Sequence, residues 1–247
     1  MLLYYITDRK QFPGPEPRRR ELLLAKISEA ARAGVDYVQL REKDLPAREL
    51  ETLARHAVTI CRETRNRKPE TKLLINSRSD IALATGADGV HLPSDEISAS
   101  DVRAIGSSAS TRNSKLEALC GREAERSAAG SRQPKSRAKR GISETSRNCI
   151  IAVSCHTAEE VRQAESQGAD FAVFGPVFEK VGTPLRLGLA GLRAACQVGR
   201  LPLLAIGGVT LDSAAACIEA GAAGVAAIRL FQENDVREIV DKLRLTG

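Results

Sequence analysis

One short phrase occurs four times along the chain: AGVDYV at residues 33–38, TGADGV at 85–90, QGADFA at 167–172 and AGAAGV at 220–225. In each copy a glycine closes a helical stretch and a small or acidic turn leads into an apolar run. This is the chemistry of a helix C-cap feeding a strand. Around these junctions, short runs that are apolar on both faces recur at Leu3–Thr7, Tyr37–Leu40, Lys72–Ile75, Gly89–Leu92, Ile150–Val153, Phe171–Phe174, Leu203–Ile206 and Gly224–Ile228. Buried parallel strands read this way. Helical periodicity fills the gaps over 19–33, 48–65, 80–85, 99–105, 158–167, 189–198, 211–220 and 235–243. Thr157 and Thr210 stand as N-caps before two of these helices. Eight such units close into a single (β/α)8 TIM barrel. A doubly wound sheet would carry a nucleotide loop after its first strand, and residues 8–17 contain no GxGxxG.

The 247 residues suit one barrel domain. No apolar run approaches the ~20 residues of a membrane span, and MLLYYITDRK is too brief for a signal peptide. A cytoplasmic location without membrane contact is expected. The six cysteines have no CxxC pair or regular spacing, so neither a disulfide framework nor a zinc site is expected. The net charge of +6 sits wholly in residues 107–148, where ten Lys/Arg face four Asp/Glu; the rest of the chain holds 27 of each sign. That segment follows the fourth βα unit. Its Ser, Arg, Lys and Ala bias reads as a solvated, disordered insertion interrupting one domain over 1–247. It lacks the aromatic residues that stack on bases, so nucleic acid is not expected as a partner. Oligomeric state stays open, and a homo-oligomer is compatible with the pattern.

Active sites of such barrels lie at the C-terminal ends of the strands, with phosphate commonly held after strands seven and eight. After strand two come Gln39, Arg41, Glu42, Lys43 and Asp44. Arg41 and Lys43, two apart, can point into one mouth as phosphate ligands, or can pair with the neighbouring acids. Asn76 and Ser77 after strand three can serve a site or cap the next helix. His91 ends strand four as a ligand or a packed histidine. Asp95 and Glu96 follow; they can hold Mg²⁺ or open a helix. Ser154, Cys155 and His156 end strand five, with His156 a candidate acid/base and Ser154 a phosphate donor. Gly207 and Gly208 after strand seven, with Ile228 and Arg229 after strand eight, form the expected phosphate cradle.

The segments YYITDR, VQLREKD, LLINSRSDIALATGADGVHLPSDE, AVSCHTAEEVRQAESQGADFAVFGPVF, LAIGGVT and AGAAGVAAI occur in this order. With them the chain resembles thiamin-phosphate synthases and the related TenI-like thiazole tautomerases over 2–106 and 149–245. The basic segment has no counterpart in these motifs. The resemblance implies a transferase that joins a hydroxymethylpyrimidine diphosphate to a thiazole phosphate and releases pyrophosphate. It implies that Gln39, Arg41, Lys43, Asn76 and Ser154 grip the diphosphate, and that Gly208, Ile228 and Arg229 hold the thiazole phosphate. The family's Mg²⁺ lies between two aspartates; one is matched by Asp95, whereas Ser77 stands at the place of the other. Arg229 replaces a usual serine, and Glu179–Thr183 departs from the family's Thr-x-Thr-Lys loop. The tautomerase branch implies a different role for the same barrel, with His156 moving protons on a thiazole phosphate without the metal pair. A third reading is a non-catalytic barrel that binds phosphate esters.

Overall fold

The computed structural model describes residues 1–64, 70–105, 149–178 and 186–246. The expected basic insertion and the Glu179–Thr183 departure lie outside the described residues. Eight parallel strands close into a barrel in sequence order: β1 (Leu2–Ile6), β2 (Tyr37–Leu40), β3 (Lys72–Asn76), β4 (Gly89–Leu92), β5 (Ile150–Cys155), β6 (Phe171–Phe174), β7 (Leu203–Ala205) and β8 (Gly224–Ala227). Outside them stand α1 (Glu16–Ala33), α2 (Ala47–Glu63), α3 (Ser79–Thr85), α4 (helical over 99–105), α5 (Ala158–Ser166), α6 (Gly188–Cys196), α7 (Leu211–Glu219), α8 (Arg229–Gln232) and α9 (Val236–Thr246). Among the described residues no helix is long and apolar enough to cross a membrane.

The repeated phrase has a physical basis. Gly34, Gly86, Gly168 and Gly221 all adopt positive φ, between 67° and 105°, at the turn out of a helix. The aspartate two residues later then caps a neighbouring strand. Asp36 Oδ2 accepts from Leu3 N (2.8 Å), Asp88 Oδ2 from Leu73 N (2.9 Å) and Asp170 Oδ2 from Ile151 N (2.7 Å). Three acids thus satisfy the N–H of the second residue in each of the odd-numbered strands β1, β3 and β5, at the base of the barrel. Each is accompanied by a cation: Arg244, Lys72 and Arg103 respectively. The fourth phrase has Ala223 at this place, without a side-chain acceptor; its carbonyl accepts from Leu2 N, as those of Asp36 and Asp88 accept from Lys72 N and Ile150 N.

Alternation along the strands sorts the core. Tyr4 and Ile6 of β1 point inward with Leu74, Ala152, Phe171, Val173, Leu204 and Ala226, whereas Leu3 and Tyr5 face the helices. Tyr4 packs edge-on against Tyr37 and Phe171, with ring centroids 5.9 and 5.6 Å apart. Burying a large apolar side chain stabilises by ~1.5–3 kcal/mol, so this plug is a large part of what fills the barrel. Two differences from the sequence expectation matter for the site. β5 continues through Ser154 and Cys155, which pair with Val173 and Phe174 of β6. Ile228 leaves β8 to become the N-cap of the short α8, an element without enough periodicity to be read from sequence.

Candidate active site

The strand ends open into a cavity of about 560 Å³. Gln39, Arg41 and Lys43 line it from β2, Asn76 from β3, Asp95 from beyond β4, Ser154 and His156 from β5, Gly207 from β7 and Ile228 from β8. Ile6, Val173 and Ile206 supply its apolar surface. An adjoining cavity of about 430 Å³ shares Arg41, Ile206, Gly207 and Ile228 and adds Gly208 and Arg229. A third cleft holds Ser77 with Lys43, Asn76 and Glu96. The residues singled out from sequence therefore converge at one end of the barrel, divided between a central cavity and two flanks.

Arg41 and Lys43 reach the mouth because the acids between and beside them turn away. Glu42 is buried and accepts from Thr7 Oγ1 (2.7 Å), Arg9 Nη1 (3.0 Å) and Arg9 N. Asp44 takes the same guanidinium on both oxygens, at 2.7 and 2.8 Å. Arg9, itself 3% exposed, is thus the cation that Glu42 and Asp44 answer. Burial pushes Glu42 above the usual carboxylate range despite these bonds. The Arg9 guanidinium holds the more exposed Asp44 well below that range. The same neighbour has opposite outcomes because desolvation dominates only for the enclosed carboxylate. Neither Arg41 nor Lys43 forms an ion pair with another described residue, so the bland alternative of pairing with Glu42 and Asp44 does not hold.

Around β3, Gln39 Nε2 donates to Asn76 Oδ1 (2.9 Å), Asn76 Nδ2 to Ser77 Oγ (2.9 Å), and Ser77 Oγ to Glu96 Oε1 (3.2 Å). The alternative capping role for Asn76 and Ser77 fails: Arg78 is the N-cap of α3, without a side-chain cap bond. Ser77 has φ 61°, alone among the described non-glycine residues in taking positive φ. Such a residue costs roughly 1–2 kcal/mol in the left-handed region. The carboxylate brought against Ser77 is Glu96, while Asp95 faces the central cavity. Among the described residues no group of three or more His, Cys, Asp or Glu is arranged to hold a metal.

His91 is packed in the barrel, 3% exposed, and burial lowers it to about 3, with Arg41 adding to the effect. Cys155 is fully buried in the outer core, where burial pushes its thiol up to about 12, and it does not line the central cavity that His156 borders. His156 is exposed at the mouth. Its Nδ1 lies 2.5 Å from the carbonyl oxygen of Gly175, which can only accept, so Nδ1 carries a proton. In the neutral ring Nε2 is then left as a base. Glu160 fixes the backbone beneath it, accepting from His156 N at 2.6 Å.

Across the cavity, Gly207 (φ 93°) and Gly208 (φ 65°) turn the chain between β7 and α7. A Cβ at Gly207 would lie 2.6 Å from the Pro176 side chain, so only glycine fits. No side chain caps the first turn of α8, whose N-terminal residues Ile228, Arg229 and Leu230 border the flank cavity. Thr7, Arg9, Tyr4 and Glu96 complete the surroundings. None was singled out from sequence except Glu96, and the only signal for the others was the YYITDR segment itself.

These features define a class: a (β/α)8 barrel with a cationic rim on β2 facing a glycine turn on β7, suited to small anionic molecules. A model described as thiamine monophosphate synthase matches residues 3–124 and 133–231, and the chain belongs to that family. The match extends further into the basic segment than the motifs do. The chain is 32% identical to the thiamine-phosphate synthase of Syntrophomonas wolfei over 246 residues, covering 98% of this chain and 94% of the relative. It is 33% identical to that of Moorella thermoacetica over 227 residues, covering 90% and 86%. The structure of thiamine phosphate pyrophosphorylase from Pyrococcus furiosus superposes with a TM-score of 0.70 at 26% identity, covering 99% of this chain and 94% of that one.

Proposed function

We propose that the chain joins the methylene carbon of a hydroxymethylpyrimidine diphosphate to the ring nitrogen of a thiazole phosphate, giving thiamin phosphate and pyrophosphate. The observation that carries this reading is that a polar, cationic rim and a glycine turn border two adjoining cavities, which share Arg41, Ile206, Gly207 and Ile228. Gln39, Arg41, Lys43, Asn76 and Ser154 form the diphosphate face. Gly207, Gly208, Ile228 and Arg229 form the monophosphate face. In this reading the carbon–oxygen bond to the diphosphate breaks with its electron pair on the departing oxygen, and the thiazole nitrogen lone pair forms the new carbon–nitrogen bond. Arg41 and Lys43 meet the charge growing on pyrophosphate; a preorganised donor of this kind typically contributes a factor of about 10² to 10³. Ile6, Val173 and Ile206 keep water from the pyrimidine cation.

In this reading Asp95, at the central cavity, would give Mg²⁺ a carboxylate, with Glu96 in the neighbouring cleft against Ser77. Among the described residues no closed protein cage is formed, so most of the ion's ligands would come from water and diphosphate. When bound, the ion would neutralise pyrophosphate charge. The test of the two faces is Lys43→Ala, since Arg41 borders both cavities: KM for the pyrimidine diphosphate should rise about tenfold or more, with KM for the thiazole phosphate little changed. Equal effects on both would refute the division.

One observation favours a second reading, the TenI-like tautomerase. His156 lies at the mouth with Nδ1 held by the Gly175 carbonyl, so in the neutral ring Nε2 is the atom that can accept a proton from a thiazole carbon and return it elsewhere. Exchange between thiazole phosphate tautomers that is unchanged in His156→Ala would remove that reading.

A further inference from the structure

Behind Ser154 runs a line of buried polar groups that the proposed reaction does not use. Tyr4 of β1 is fully buried in the inner core, and its hydroxyl lies 3.1 Å from His91 Nδ1. His91 Nε2 lies 2.8 Å from Ser154 Oγ, which borders the cavity. Burial keeps the imidazole neutral and the phenol protonated. Three groups therefore share three hydrogens, one each, and only two orders satisfy both contacts.

In the outward order Tyr4 donates to Nδ1, Nε2–H donates to Ser154 Oγ, and the serine hydroxyl hydrogen is left to point into the cavity. In the inward order Ser154 donates to Nε2 and Nδ1–H donates to the phenol oxygen. The Tyr4 hydroxyl hydrogen is then stranded among Tyr37, Phe171 and the aliphatic core, since His91 is its hydrogen-bond partner among the described residues. Stranding a buried donor disfavours that order by a factor of roughly 5 to 150. Ser154 has no such constraint, because its free side meets solvent or ligand in either order.

We infer that Tyr4 and His91 are positioning residues that make Ser154 an obligate hydrogen-bond donor into the mouth, matched to a ligand oxygen that can only accept, as on phosphate or diphosphate. This rests on the reading of Ser154 as a diphosphate contact. A serine without the relay would rotate among three staggered positions, so its preorganisation is worth about threefold in affinity. Polarisation along the chain of bonds adds to this.

The test uses the full-length protein labelled with ¹⁵N-histidine, which contains only three histidines. At neutral pH the His91 spectrum should show the proton on Nε2 and a bare Nδ1; a proton on Nδ1 overturns the inference. Binding of inorganic pyrophosphate with Mg²⁺, followed by calorimetry, separates the two layers. Ser154→Ala should weaken it about tenfold or more. The double variant Tyr4→Phe/His91→Leu removes both buried polar groups together, so it leaves no stranded donor. It should weaken binding at least threefold, and it should add nothing in the Ser154→Ala background. If Ser154→Ala leaves affinity intact, the contact reading falls and the relay with it. If Ser154→Ala weakens binding and the double variant does not, the relay alone falls.

Discussion

Arg9 is the cation that takes up Glu42 and Asp44 and leaves Arg41 and Lys43 without an ion-pair partner among the described residues, and its replacement by methionine tests that role. Arg9→Met keeps the apolar stem but removes the guanidinium from Glu42 and Asp44. Glu42 retains only Thr7 Oγ1 and the residue 9 N–H. Breaking one side of a buried pair costs ~3–5 kcal/mol. The two surviving donors put the expectation at the lower end, about 3 kcal/mol at neutral pH. Urea unfolding should read this as a lowered midpoint at similar slope. The pH dependence follows from the direction of the shift. Burial already raises Glu42, and losing Arg9 raises it further. An acid with a raised folded value contributes stability that is fully present below its unfolded pKa and lost as pH rises through the folded one. The variant's deficit should therefore shrink between about pH 7 and about pH 5, by up to ~1.4 kcal/mol per unit of added shift. Asp44 acts in the opposite sense. Its value is depressed by Arg9, so its contribution is present above the ordinary aspartate range and lost below it. It is part-exposed and screened, and it acts below the window used. Glu42→Gln in the Arg9→Met background should recover most of the neutral-pH loss. A deficit that is the same at both pH values, or that survives Glu42→Gln, refutes the assignment.

Three further changes have defined outcomes. Ser77→Asp places a second carboxylate against Glu96, so Tm should fall in EDTA and recover with Mg²⁺; a Tm indifferent to Mg²⁺ would show that no ion enters there. Gly207→Ala forces a side chain into a left-handed turn and against Pro176, and should cost more than the ~1–2 kcal/mol of the turn conformation alone while raising KM for the thiazole phosphate more than for the pyrimidine diphosphate. Asp170→Ala removes the acceptor of Ile151 N and the partner of Arg103; chemical denaturation should show a loss of ~1–3 kcal/mol with kcat unchanged.

The barrel is legible in the sequence because its junctions are local. A glycine, two spacer positions and a strand suffice to mark AGVDYV or TGADGV, and the structure gives both glycines the expected positive φ. Most of the rim is legible for the same reason, since Gln39, Arg41, Lys43, Asn76 and Ser154 all stand at strand ends and line one cavity. What could not be read is the set of contacts between strands distant in sequence. Arg9 reaches Glu42 across 33 positions, and Tyr4 reaches His91 across 87. From the sequence, Glu42 looks like one more charge in a run of charges; only closure of the barrel turns it inward to Thr7 and Arg9. The placement of Glu96, rather than Asp95, against Ser77 likewise depends on how the chain leaves β4, which apolar periodicity does not encode.

The most direct measurement is turnover by the purified full-length chain with hydroxymethylpyrimidine diphosphate, thiazole phosphate and Mg²⁺. Thiamin phosphate and pyrophosphate should appear in equal amounts, with neither formed when the thiazole phosphate is omitted and both strongly reduced in Arg41→Ala. Absence of thiamin phosphate, from a folded protein that still binds both substrates, would contradict the account.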